Sequence, residues 1–210
     1  MSAKENSRKI ITFARQGKLD GDPGLRSMVL DAIKCQQDLD YNEKPYFRTA
    51  LWEATWKNNE QIVKFLTDKG ASVSYADYQG RTPLHEAAYY GHINLVEYFL
   101  DKGAPIDVTD IFGQSALYRA IEGGRHDIVE VLVRRKAETN LLDTHDVNPH
   151  HVAAFAGMPQ MANWLIYKGA WRNRFAVDEG TRAQEKAEAN ATAGESIEKA
   201  DEEVDPDSKP

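Results

Sequence analysis

Only one cysteine, Cys35, occurs in the 210 residues, which excludes an internal disulfide and makes a reducing compartment the expected setting. No apolar run approaches the roughly 18 residues that a membrane-spanning helix needs. The basic opening stretch, residues 1–18, has no continuous apolar segment and no small-residue cleavage site, so a secretion signal is not expected. A surplus of one charge is also missing from most of the chain. Residues 176–210 hold 11 acidic and 4 basic side chains, so residues 1–175 balance at 22 against 22 and the net charge of −7 belongs to the end of the chain. A balanced body without a basic stripe lacks the means to neutralise phosphates, which argues against an electrostatic grip on nucleic acid or anionic lipid. The run Arg134-Arg135-Lys136 is too short to change this. Signatures of catalysis are missing too: there is no glycine-rich phosphate loop, and no serine or cysteine nucleophile lies in a recognisable motif. His145, His150 and His151 are close in sequence, but tandem residues on one helix point about 100° apart. No second cysteine or suitably spaced carboxylate completes a zinc site around them. The expectation is therefore a chain that is not an enzyme, with no catalytic residues, cofactor, metal or small-molecule substrate.

What the chain does have is a period. Asp77, Asp110 and Asp143 recur at 33-residue steps, and Thr49, Thr82, Ser115, Asn148 and Thr181 keep the same step. So do Leu51, Leu84 and Leu117. Ala54, Ala87, Ala120 and Ala153 form one apolar column, and Val63, Val96, Val129 and Ala162 another. Gly70, Gly103 and Gly169 close three of the copies, with Lys136 standing at the fourth such place. A fixed step of this length is the mark of stacked supersecondary units.

The best-formed copy spans residues 80–108. Its segments Thr82-Pro83-Leu84-His85, Ala87-Ala88, Gly91-His92, Leu95-Val96, Phe99-Leu100 and Gly103-Ala104 resemble the signature of the ankyrin repeats. The resemblance covers about residues 44–173. It implies an all-α solenoid of helix-turn-helix units joined by short β-turn fingers. It also places His85 and His92 where the family uses histidine to order the turns, which is a structural role.

The expected organisation is a degenerate capping helical pair at 1–43, then four repeats at 44–76, 77–109, 110–142 and 143–175. A polar capping helix at 176–193 and a disordered acidic tail at 194–210 follow. In the first segment, Ile10, Ile11, Phe13 and Ala14 can form one apolar face, and Leu25, Met28, Val29, Ala32 and Ile33 keep helical spacing. This pair either caps the array or docks on a partner. Each repeat opens with Thr, Ser or Asn as an N-cap, Pro83 and Pro149 suit a first helical turn, and Gly80 and Gly113 complete Asp-x-x-Gly turns. The fourth unit is the least regular, with Asp146, Asn148 and His150 replacing the repeat's Gly, Thr and Leu, and it should fray earlier than the second. The tail either solubilises the chain or serves as an acidic docking segment.

The resemblance implies a concave surface built from turn tips and the ends of the first helices. By register those places carry Tyr46, Arg48 and Trp56 in the first unit and Tyr78, Arg81, Tyr89 and Tyr90 in the second. Phe112 follows in the third and Phe155 in the fourth. The scaffold demands an aromatic at none of them, and aromatics with flanking arginines are what interfaces enrich. These rings either meet a partner or stiffen neighbouring turns. The function expected is a protein-protein interaction module, an adaptor or an assembly subunit, binding one or more proteins and neither nucleic acid nor membrane. A regulatory or targeting subunit of an enzyme complex is the alternative. The expected location is cytoplasmic, with nuclear or cytoskeletal association compatible.

Overall fold

The computed structural model describes residues 3–20, 24–34, 39–42 and 44–170, all within the unit Met1–Trp171. Cys35 and the segments expected at 176–193 and 194–210 lie outside the described residues.

Ten α-helices occur among the described residues, in five antiparallel pairs. They are α1 (Ala3–Gln16) with α2 (Leu25–Lys34), α3 (Ala50–Trp56) with α4 (Glu60–Asp68), α5 (Pro83–Tyr90) with α6 (Ile93–Asp101), α7 (Ala116–Glu122) with α8 (His126–Arg134), and α9 (Pro149–Phe155) with α10 (Pro159–Leu165). The first helices of successive pairs stack in order, α1 on α3, α3 on α5, α5 on α7 and α7 on α9. Helices of seven to nine residues are marginal alone. Here each is held by neighbours through one continuous core that runs from Ile10 to Leu165.

The columns read from the sequence are the core. Leu51, Leu84 and Leu117 are buried, as are Ala54, Ala87, Ala120 and Ala153 and the valine column with Ala162. Burying each such aliphatic contributes about 1.5–3 kcal/mol, while the alanines let helix backbones approach. In the fifth pair the leucine position holds a half-buried His150, and α9 buries only Pro149 and Ala153.

Local chemistry sets the helix ends. Thr49 Oγ1 accepts from the Trp52 amide at 3.1 Å, Ser115 Oγ from the Tyr118 amide at 3.4 Å and Asn148 Oδ1 from the His151 amide at 3.2 Å. Pro83, Pro149 and Pro159 occupy first turns, where no amide donor is needed. The stacked helices end at a residue with positive φ, and these residues recur at 33-residue steps: Asn58, Gly91, Gly124 and Gly157. Gly17 ends α1 in the same way, but 41 residues earlier than Asn58 (58 − 17). Most of the extra residues lie between Gly17 and Leu25, inside the first pair, so α1 falls out of step with the period while α2 stays close to it.

Between pairs the chain makes fingers whose tips are tied by aspartate. Asp77 Oδ1 accepts from the amides of Gln79 (2.9 Å) and Arg81 (3.0 Å). Asp110 Oδ1 accepts from Phe112 (2.9 Å) and Gln114 (3.0 Å), and Asp143 Oδ1 from His145 (2.8 Å) and Val147 (2.9 Å). Consecutive fingers are linked by single backbone hydrogen bonds, Tyr78 N–H to Tyr46 O at 3.0 Å, Ile111 N–H to Gln79 O at 2.9 Å and Thr144 N–H to Phe112 O at 2.9 Å. Asp146 takes the left-handed conformation, φ 59°, that Gly80 and Gly113 take in the preceding turns.

Two readings of the sequence need correction. Ile33 is exposed, and α2 buries Leu25, Met28, Val29 and Ala32 instead, because the helix presents only one face to its neighbours. Gly169 does not stop a helix: α10 runs on into a π-helical segment, Ile166–Ala170, that contains it.

Candidate functional site

The finger tips and the ends of the stacked helices hold the aromatic residues picked out by register. Tyr46 (52% exposed), Tyr78 (48%), Tyr90 (40%), Phe112 (39%) and Phe155 (85%) all reach solvent, and Trp56 and Tyr89 are half-buried. Finger geometry explains the first pair: the hydrogen bond from Tyr78 N–H to Tyr46 O sets the tips side by side, and the two rings lie 5.7 Å apart. Tyr89 and Tyr90, at the end of α5, meet edge to face at 5.1 Å, and Tyr90 stacks on His92 at 6.1 Å. Phe112, on the third finger, has the exposed Ile111 beside it. Phe155, on α9, has no aromatic contact among the described residues.

Cations thread through these rings. The Arg48 guanidinium lies 5.1 Å from the Tyr46 ring centre and 3.9 Å from that of Trp52, and the Lys57 ammonium 4.0 Å from that of Trp56. Arg119 lies 4.2 Å from the ring centre of Tyr89. Such contacts are worth about 0.5–2 kcal/mol and stiffen both partners. Arg81 is more engaged than the sequence suggested, with Nε 3.5 Å from Asp110 Oδ2 and Nη1 4.0 Å from Glu86 Oε1.

Beneath the rings runs a buried polar layer that the sequence reading passed over. Glu53, Glu86 and Arg119 occupy one column at 33-residue steps on α3, α5 and α7, and all three are buried. Glu53 is held by Arg15 of α1 through two bonds, 2.9 and 3.1 Å. Burial pushes the Glu86 carboxyl above its ordinary range, opposed by Arg119 and Arg81. Arg119 also pairs with Glu122. The signal was available in principle, since a charged column flanked by leucine and alanine columns is unusual on a helix that stacks on both sides.

A second column reaches from two of the units to the next finger. His85 Nδ1 lies 3.2 Å from the Thr82 amide and 2.8 Å from Thr82 Oγ1, and Nε2 lies 3.1 Å from Gln114 O. The amide must donate to Nδ1, so the ring is neutral with its proton on Nε2, donated to Gln114 O. Burial drives the His85 pKa down to about 4, against the pull of Asp110 and the Gln114 carbonyl. One repeat on, the Tyr118 hydroxyl donates to Asp143 Oδ2 at 2.9 Å. Burial, then the bond to Asp143, pushes its pKa up to about 12. Burial also raises Asp143, but the Val147 and His145 amides and the Tyr118 hydroxyl outweigh it and hold the carboxyl below its usual range.

No three His, Cys, Asp or Glu side chains converge among the described residues, and no described helix is long and apolar enough to cross a membrane. The chain has no match among curated proteins. A family model described as Ankyrin repeats (3 copies) matches residues 22–110 and 102–174, well over half of the chain. With the 33-residue period, the paired helices and the aspartate-tied fingers, that match settles the family: this chain belongs to the ankyrin-repeat proteins.

Proposed function

We propose that the chain is a non-catalytic interaction module, an adaptor or a subunit of a larger assembly, which binds a partner protein across the aromatic face of its fingers and stacked helices. Ankyrin repeats generally mediate protein-protein interaction. The observation that carries the reading further is the exposure of Tyr46, Tyr78, Tyr90 and Phe112 at places where the fold needs no aromatic. Exposed aromatics of this density on one face favour association, because rings bury a large area at small loss of rotamer freedom. The proposed contact set is Tyr46, Arg48, Trp56, Tyr78, Arg81, Tyr89, Tyr90, Phe112 and Phe155, in a cytoplasmic setting.

The test is affinity purification of partners with the intact chain and with a Tyr78→Ala, Tyr90→Ala, Phe112→Ala variant. The three rings stand outside the core, so melting should hold while the partners are lost from the variant. Partners recovered equally by both chains would defeat the proposal. Fractionation separates its two forms, since an assembly subunit sediments with its complex and a free regulator stays in the extract at its own size.

A further inference from the structure

A separate feature lies on the second helices. Two exposed ion pairs link successive units there: Lys102 Nζ to Asp68 Oδ1 at 3.4 Å, and Arg135 Nη2 to Asp101 Oδ1 at 2.7 Å. The same 34-residue spacing makes the third rung Arg134 and Lys168, two cations. One residue pair further along, the left-handed position filled by Gly70 and Gly103 holds Lys136, φ 72°. In the column of Phe65, Tyr98 and Val131, the last unit places Trp164. These departures from the repeat converge. Arg134, Lys136, Lys168 and Trp164 line one cleft of about 680 Å³ between α8 and α10, together with Val133 and Glu138.

Arg134, Lys136 and Lys168 make no ion pair among the described residues. The Lys168 ammonium instead lies 5.6 Å from the Trp164 ring centre. A helix C-terminus favours a nearby cation, but Asp68 and Asp101 occupy the place of Arg134 in the other units, so the scaffold does not require one. Lysine in a left-handed conformation carries a conformational cost that glycine avoids.

We propose that this cleft is a second docking site, and that it takes an extended acidic peptide segment of a partner protein. Its apolar floor, Trp164 and Val133, suits side chains between the acids. Its cations are strung along the cleft on two helices and a loop, and no helix N-terminus supplies converging amides, which favours a peptide over a single phosphate. Glu130 and Glu138 on the same lining disfavour a uniformly charged polyanion.

The experiment uses the full chain and a fluorescein-labelled twelve-residue peptide that alternates glutamate with leucine and serine, followed by fluorescence anisotropy. The peptide should bind at low salt and weaken as salt rises. An Arg134→Asp, Lys136→Gly variant gives the third junction the residues that the first two carry, so its fold is supported by a completed Asp–Lys168 rung. It should bind the peptide about tenfold more weakly while melting no lower than the parent. The Tyr78→Ala, Tyr90→Ala, Phe112→Ala variant should bind it as the parent does, which keeps this site distinct from the aromatic face. Unchanged affinity in the double variant, no binding by the parent at low salt, or equal binding of a single-stranded oligonucleotide would each overturn the proposal.

Discussion

Tyr118 on α7 and Asp143 on the fourth finger are joined by a buried hydrogen bond of 2.9 Å, the hydroxyl donating to Oδ2 while the finger's own amides occupy Oδ1. One carboxylate thus closes its own turn and fastens that turn to the preceding unit. Tyr118→Phe removes the second function alone. A bond from a neutral donor to a buried carboxylate is worth about 1.5–3 kcal/mol, so the variant should lose about 2 kcal/mol in urea unfolding. Amide exchange at His145 and Val147 should accelerate more than at Gln79 and Arg81. Equal protection in both fingers would show that the bond does not anchor the fourth unit. Asp143 is held below its ordinary range, so its contribution is present at neutral pH and disappears as pH falls through its folded value.

His85 predicts a different acid response. Its folded pKa of about 4 lies below the ordinary value of 6.5, so the unfolded chain takes up a proton first. The stability this neutral ring contributes is complete above pH 6.5 and is lost progressively between there and about pH 4. At pH 5 the loss amounts to about 2 kcal/mol. His85→Gln should be less stable than the parent at pH 7 and show a correspondingly smaller drop between pH 7 and pH 5. Parallel pH curves for the two proteins would rule out His85 as the source.

Two adjacent glycines should behave differently. A Cβ at Gly123 would lie 2.3 Å from the carbonyl oxygen of Tyr89, backbone that cannot swing aside. Gly124 has open space around it but a φ of +70°. Gly123→Ala should therefore cost several times as much as Gly124→Ala, whose loss should be about 1 kcal/mol. Lys136→Gly should act in the opposite sense and stabilise by about 0.5–1 kcal/mol. Thermal or urea melts of the three variants check the order.

Arg15 joins α1 to α3 through its paired bonds to the buried Glu53. Arg15→Ala leaves a carboxylate without its partner and should cost about 2 kcal/mol, less than a fully buried pair because Arg15 is half exposed. Replacing Glu53 by Leu in the same chain should recover part of the loss, and a double-mutant cycle measures how much.

The repeating parts of the fold were legible because each repeated residue has one physical duty. The alanine and leucine columns mark packing, Thr49, Ser115 and Asn148 mark helix starts, and Asp77, Asp110 and Asp143 mark turns. Register alone also put Tyr46 and Tyr78 on neighbouring finger tips. What escaped was the out-of-step part. The eight residues inserted before Asn58 moved α1 away from the period, and Arg15, its link to Glu53, had no column to reveal it. The stacking of Arg119 on Tyr89 joins residues 30 positions apart (119 − 89), off the 33-residue step, and only three-dimensional geometry brings them together.

The three hydrogen bonds that link finger to finger, Tyr78 to Tyr46, Ile111 to Gln79 and Thr144 to Phe112, also bear on how the array answers force. A pull along the stack loads the junctions in series and puts the same force on each, so the junction with the weakest packing and fewest bonds yields first. Extension should proceed in small increments and reverse on release, as in a spring whose coils are the individual repeats.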